Sequence, residues 1–193
     1  MSLTDLKKEL KKFDKSKLID LISKLYKKHK PVKDFLDFYV QPDEKGLFEK
    51  HKAKVFEAFY PKRGFQLKLK DARQAISDFK KFAPSSYLLA ELMLFYVECG
   101  VQFTNDFGDI DENFYLSMEK MFDQTLTLMK KEDILVQFND RAAKILRDTD
   151  GMGWGFSDTL CDIYYNYYDA IEDNEKTDTT NSSKIIPLRK DDL

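Results

Sequence analysis

An acidic stretch near the middle of the chain has the residue types and spacing of a cation site. Asp109, Asp111 and Asn113 alternate like the first three ligands of an EF-hand. The pattern then departs from that motif, because Phe114 stands where the loop needs glycine and Lys120 where it needs glutamate. Asp and Asn also cap helices and satisfy loop backbone groups. We therefore expect helix capping here, with adventitious cation binding as the alternative.

A glycine-rich loop precedes the last predicted helix. Residues 151–156 read GMGWGF, and free backbone N–H groups before a helix can hold a phosphate. The spacing is not Gly-x-Gly-x-x-Gly, and Asp148 and Asp150 would repel an anion. The favoured interpretation is a tight connection whose Trp154 and Phe156 pack into the core. An exposed Trp154 would instead make the loop a leading site for a ligand or partner.

Nucleophilic and metal-binding side chains are scarce. The two histidines, His29 and His51, lie among lysines in segments predicted to be exposed, and Cys99 and Cys161 lie among apolar residues. The sequence has no Cys-x-x-Cys pair and no Gly-x-Ser-x-Gly elbow. We therefore assign no catalytic residue, no metal and no cofactor. Whether the chain is an enzyme stays open, because catalytic groups can converge in the fold alone.

Two glutamates interrupt the most apolar stretch, residues 87–103. Glu91 and Glu98 are seven positions apart and so share one face of a helix. A buried carboxylate pair needs a cationic partner, for which Arg73 and Lys80 are the candidates. The expected role is a structural ion pair, and a functional carboxylate is the alternative. In that alternative four side chains line a pocket for a substrate or small ligand: Glu98, Asp109, Asp111 and Trp154.

Basic residues concentrate in the first half of the chain. Residues 1–83 carry 22 lysines and arginines against 12 acidic residues, whereas residues 84–193 carry 10 against 22. Two clusters predict a basic binding face: Lys7, Lys8, Lys11, Lys12, Lys62 and Arg63. Such a face attracts an acidic protein or, with weaker support, a nucleic acid backbone. An ordinary solvated surface and self-association between the oppositely charged halves are the alternatives.

Apolar residues recur every three to four positions, a spacing typical of amphipathic helices. The pattern predicts nine helices and an all-α fold. The architecture is a compact bundle of antiparallel helical hairpins or, alternatively, a short α-solenoid. The sixth helix, 87–103, is apolar on nearly every side and belongs at the centre of the core, with Gly100 at a close helix crossing. Residues 65–70 are interpreted as an extended linker.

Breaks in this pattern divide the chain into three regions. Residues 1–30 form a basic N-terminal helical hairpin, residues 31–172 a helical core domain, and residues 173–193 a mobile polar tail. No apolar leader follows the first methionine, and the most apolar stretch is too short and too charged to span a bilayer. We therefore expect a cytoplasmic protein that does not enter a membrane.

Three stretches resemble an uncharacterised family of small bacterial proteins, known only as a domain of unknown function. They are residues 59–64 (FYPKRG), 93–101 (MLFYVECGV) and 151–156 (GMGWGF). The resemblance covers roughly residues 1–170. It implies a bacterial, helical protein and brings no activity or catalytic residues. The N-terminal hairpin is also similar to two-helix DNA-binding modules of the SAP type, although it lacks their glycine between the helices.

These observations favour a non-enzymatic bacterial interaction protein. Its basic N-terminal half would bind an acidic protein partner or, with less support, nucleic acid. The alternative is an enzyme or small-ligand-binding protein with a pocket near Glu98, the acidic stretch and Trp154.

Overall fold

The computed structural model describes residues 1–64 and 66–181, and within these ranges it contains nine helices and no strand. The predicted all-α fold is confirmed. The helices follow one another in this order: α1 (Leu3–Leu10), α2 (Lys15–Lys28), α3 (Lys30–Val40), α4 (Glu44–Phe59), α5 (Leu69–Lys80), α6 (Ser86–Phe107), α7 (Glu112–Lys131), α8 (Leu135–Asp148) and α9 (Phe156–Asn181). Within the described residues, no helix combines the length and the apolar character that a membrane span needs.

The chain forms two units that divide between Leu47 and Phe48. In the first unit Pro31 lies in the first turn of α3, where its missing N–H removes no helical hydrogen bond. α3 packs against α2, and Tyr26 Oη donates a hydrogen bond of 2.8 Å to Asp37. α3 therefore groups with α1 and α2 in the structure, and the predicted domain boundary at residues 30/31 stays a prediction.

The second unit is a helical bundle in which α6 contacts α5, α7 and α8. Ser85 is the N-cap of α6, and its side chain accepts a hydrogen bond from the backbone N–H of Leu88. Ten of its residues are buried, among them Leu92, Leu94 and Val97, whereas Tyr87 and Gln102 are exposed on the remaining face. The predicted central position of residues 87–103 is confirmed.

α6 and α7 approach each other closely at Gly100. A Cβ built on Gly100 would lie 2.1 Å from Sδ and 3.0 Å from Cγ of Met118, a fully buried side chain of α7. Contact between the helices therefore requires glycine at this position. The predicted close crossing is confirmed.

His51 ties α4 to α5. Its side chain is buried, its Nδ1 lies 2.8 Å from the carbonyl oxygen of Ala75, and its ring lies 5.5 Å from that of Phe79. The expectation that His51 is exposed was wrong, because it shares the inward face of α4 with Phe48 and Val55. Burial lowers the pKa of His51, and the hydrogen bond to Ala75 offsets that effect only in part.

Two boundaries differ from their predicted positions. The extended linker is shorter than expected, because α5 already begins at Leu69. α9 continues to Asn181, beyond residue 173, where the polar tail was expected to begin. Phe65 and residues 182–193, which belong to the predicted linker and tail, lie outside the described residues.

Replacing Gly100 with alanine is expected to destabilise the second unit. Overpacking against Met118 costs about 1–3 kcal/mol, and the better helix propensity of alanine returns at most about 1 kcal/mol. Urea unfolding measures the loss. In a double-mutant cycle, Gly100→Ala should cost much less in a Met118→Ala background. Alanine at position 118 lacks the Cγ and Sδ atoms that the new Cβ would meet. An equal cost in both backgrounds would show that the two residues are not in tight contact.

Lowering the pH from about 7.5 to about 5.5 is expected to reduce the free energy of unfolding through His51. Because burial lowers its folded-state pKa from the usual 6.5, the unfolded chain binds more protons in this range. The contribution is present above pH 6.5 and is lost as the pH falls towards the folded-state pKa. His51→Gln keeps an N–H donor for Ala75 without titrating, so its unfolding free energy should vary less with pH. Urea unfolding at each pH measures these free energies. If the two proteins varied with pH in the same way, the predicted contribution of His51 would be wrong.

Candidate functional site

The first unit leaves the apolar sides of its helices uncovered. No residue of α1, α2 or α3 is buried. The large apolar side chains exposed on these helices and their connections are Leu3, Leu6, Phe13, Ile19, Ile22, Leu25, Phe35, Tyr39 and Val40. Ile19, Ile22 and Leu25 follow one another at a spacing of three and form a stripe along α2. Uncovered apolar surface of this kind is characteristic of a protein–protein contact.

Four lysines of the predicted basic face lie on and just after α1 in the same unit. Lys12 forms an ion pair of 2.7 Å with Glu9, and both side chains are more than half exposed. Lys7, Lys8 and Lys11 have no ion pair with any residue that the structure describes. The first unit thus combines unpaired positive charge with exposed apolar side chains.

The other two residues of the predicted basic face, Lys62 and Arg63, lie in the second unit. They border a groove of about 600 Å³ formed by α4, α5 and their connection. Four cationic and three acidic side chains line it: Lys54, Lys62, Arg63, Lys68, Glu57, Asp71 and Asp78. These charges nearly balance, so the groove lacks the strong positive character of a phosphate-binding surface.

Arg141 on α8 bridges the two glutamates of α6. Its Nε and Nη2 donate to Glu98 at 2.9 Å each, and its Nη1 donates to Glu91. The expected structural ion pair is confirmed, but Arg73 and Lys80 were the wrong partners. Burial lowers the pKa of Arg141, and the hydrogen bonds and charges of the two glutamates outweigh that effect and leave it raised.

A cavity of about 280 Å³ lies beside this ion pair. The charged side chains that line it are already paired, because Glu98 forms an ion pair with Arg141 and Asp148 forms one with Lys144. Cys99 also lines the cavity, and burial raises its pKa to about 12, so its thiol is not a nucleophile at neutral pH. The cavity therefore presents no activated side chain and no unpaired charge for a substrate.

The other three residues of the predicted pocket do not line that cavity. Asp109 accepts hydrogen bonds from Tyr115 Oη at 2.7 Å and from the backbone N–H of Gly153 at 3.1 Å, and both lower its pKa. Asp111 caps α7 by accepting from the backbone N–H of Phe114, as expected. Among the residues with described side chains, no group of three or more His, Cys, Asp or Glu is placed to hold a metal ion.

Trp154 is exposed over 61% of its surface, whereas Phe156 is fully buried. The expectation that both pack into the core is correct for Phe156, whose ring lies 4.7 Å from that of Tyr115, and wrong for Trp154. Gly151, Trp154 and Gly155 all have positive φ, so the chain reverses tightly between α8 and α9. A bulky residue at φ +61° stores strain on the order of 1 kcal/mol.

A sequence model of a family of unknown function, DUF6155, matches residues 1–169. The resemblance inferred from three short stretches is confirmed as membership of a family of unknown function, over a range that includes all of the first unit and most of the second. Comparison with curated proteins and with solved structures gave no match. The family carries no assigned activity, so the function of this chain has to be inferred from its own surfaces.

Arg141→Ala is expected to lower the free energy of unfolding by about 2 kcal/mol, because it leaves two partly buried carboxylates without their partner. Lys144→Ala is the matched control. It removes an exposed ion pair on the same helix and should cost less than about 0.5 kcal/mol. Urea unfolding of both variants checks the difference. Equal losses would show that the bridge between α6 and α8 contributes no more than a surface pair.

Proposed function

The chain belongs to the family of unknown function DUF6155, and we propose that it acts as a non-enzymatic interaction protein. The first unit binds an acidic protein segment through its lysines and its uncovered apolar side chains. The setting that we propose is the reducing cytoplasm of a bacterium. Cys99 and Cys161 are free thiols, which suits such a compartment.

The observation that carries this proposal is that α1, α2 and α3 bury no residue. Ile19, Ile22 and Leu25 are each roughly half exposed. Complete burial of such a side chain is worth about 1.5–3 kcal/mol, so a partner that covers the remaining half gains about 1 kcal/mol at each position. An apolar stripe on the partner is therefore part of the recognition.

The positive charge of the first unit indicates that the partner also carries acidic side chains. Residues 1–47 contain 12 lysines against 8 acidic residues, and Lys7, Lys8 and Lys11 lack ion pairs among the described residues. Acidic side chains beside the partner's apolar stripe would speed association and fix its orientation. A nucleic acid backbone would satisfy the lysines but leave the apolar side chains uncovered, so a protein is the better match.

A labelled acidic peptide that forms a helix with one leucine stripe tests the proposal by fluorescence anisotropy. It should bind the full chain, and binding should weaken steeply as salt rises. Ile22→Asp places a charge in the stripe of α2 and should weaken binding at least tenfold, about 1.4 kcal/mol. Reversing the charge of the first basic cluster should weaken binding and reduce its salt dependence. That variant replaces four residues with glutamate: Lys7, Lys8, Lys11 and Lys12.

Two controls make this experiment decisive. Val136→Asp introduces the same charge at an apolar side chain of α8 that is 68% exposed, and it should leave peptide binding unchanged. A scrambled peptide of equal composition keeps the acidic charge without the stripe and should bind at least tenfold more weakly. Equal binding of both peptides, or tighter binding of a DNA duplex, would overturn the proposal.

A further inference from the structure

Two loops of the second unit lie side by side and expose aromatic side chains. The backbone N–H of Gly153 donates to Asp109 at 3.1 Å, and Asn105 Nδ2 donates to the carbonyl oxygen of Asp148 at 3.1 Å. These hydrogen bonds join residues 105–111 to residues 148–155. Phe107, the last residue of α6, and Trp154, in the connection between α8 and α9, are each 61% exposed. We call residues 105–111 and 148–155 together the aromatic loop surface.

Close contacts and hydrogen bonds attach the loop that carries Trp154 to the rest of the second unit. A Cβ at Gly153 would lie 2.5 Å from Oδ2 of Asp109, which shows how closely the loops touch. Tyr115 donates to the same carboxylate, and Phe156 is buried directly after the loop. Trp154 is thus an exposed aromatic side chain on a preorganised loop. Such a residue loses little entropy on binding and is the type that dominates protein interfaces.

The aromatic loop surface is acidic. Its two segments contain five aspartates and neither lysine nor arginine: Asp106, Asp109, Asp111, Asp148 and Asp150. A segment with lysines beside apolar side chains complements both the acidic charge and the exposed aromatic side chains of this surface. The lysines meet carboxylates and the face of an indole ring, and the apolar side chains cover the exposed aromatics.

We propose that the aromatic loop surface binds the first unit of a second copy of this chain. The inference rests on the proposed function, and it names the partner. The first unit offers the required chemistry, with unpaired lysines on α1 and the apolar stripe Ile19, Ile22 and Leu25 on α2. Each copy carries both surfaces, so in the proposed dimer the same contact forms twice, related by a two-fold axis.

Trp154 is the only tryptophan, so its fluorescence reports directly on this surface. At low salt, raising the concentration of the full chain should shift the emission to shorter wavelength while sedimentation shows conversion of monomer to dimer. Raising the salt should reverse both changes. Trp154→Ala and Ile22→Asp should each raise the dimer dissociation constant at least tenfold. Tyr165→Ala removes an aromatic side chain of α9 that is 53% exposed, and it should leave the constant unchanged.

Mixing the two impaired variants identifies which surfaces meet. Trp154→Ala keeps an intact first unit, and Ile22→Asp keeps an intact aromatic loop surface. Together they restore one of the two contacts, so the mixture should associate more tightly than either variant alone. Its emission, which comes from the Ile22→Asp chain, should shift to shorter wavelength. Contacts between two identical surfaces would give no such recovery.

The outcomes separate this inference from the proposed function. A chain that stays monomeric at every concentration and salt, or whose Trp154 emission shifts without a change in mass, overturns dimerisation through this surface. If the acidic peptide still binds and Ile22→Asp still weakens that binding, the proposed function stands and its partner is another protein. If neither peptide binding nor dimerisation responds to Ile22→Asp, both proposals are wrong.

Discussion

The close approach of α6 and α7 at Gly100 is the contact on which the second unit depends. Gly100 and Met118 are both buried, and the missing side chain at Gly100 leaves the space that Met118 fills. The same approach determines where the short connection between them runs. Asp109 lies in that connection, and it holds Gly153 and so the loop that exposes Trp154. A packing constraint in the core therefore positions an aromatic side chain on the surface.

The sequence predicted those features that local patterns determine. An apolar residue at every third or fourth position was enough to identify the helices, and a glycine in a nearly all-apolar helix was enough to place the crossing at Gly100. The partner of Glu98 was missed because Arg141 is 43 positions away, and spacing within one helix contains no information about the facing helix. The exposure of Trp154 was not predicted, because hydrophobicity favours burial and the hydrogen bond that joins Gly153 to Asp109 links residues 44 positions apart.

The two units are stabilised by different means. Large aromatic side chains such as Tyr96, Tyr115 and Phe122 fill the core of the second unit. The first unit has helix caps at Ser2 and Asp14, and each cap contributes about 1 kcal/mol. Caps fix where a helix begins, but they do not hold helices together. α2 and α3 are joined by their packing and by the hydrogen bond from Tyr26 to Asp37, yet none of the three helices buries a residue. A partner that covers their apolar sides would therefore also stabilise the fold of this unit.

Charge decides which uncovered surfaces can meet. Apolar side chains alone attract any exposed apolar surface, including an identical one on another copy. The lysines of the first unit oppose pairing between two first units, and the aspartates around Trp154 oppose pairing between two aromatic loop surfaces. The contact between unlike surfaces joins opposite charges and buries apolar side chains on both sides. In the proposed dimer, the uneven distribution of charge along the sequence would act as a device for specificity, because it disfavours the two symmetric pairings and favours the complementary one.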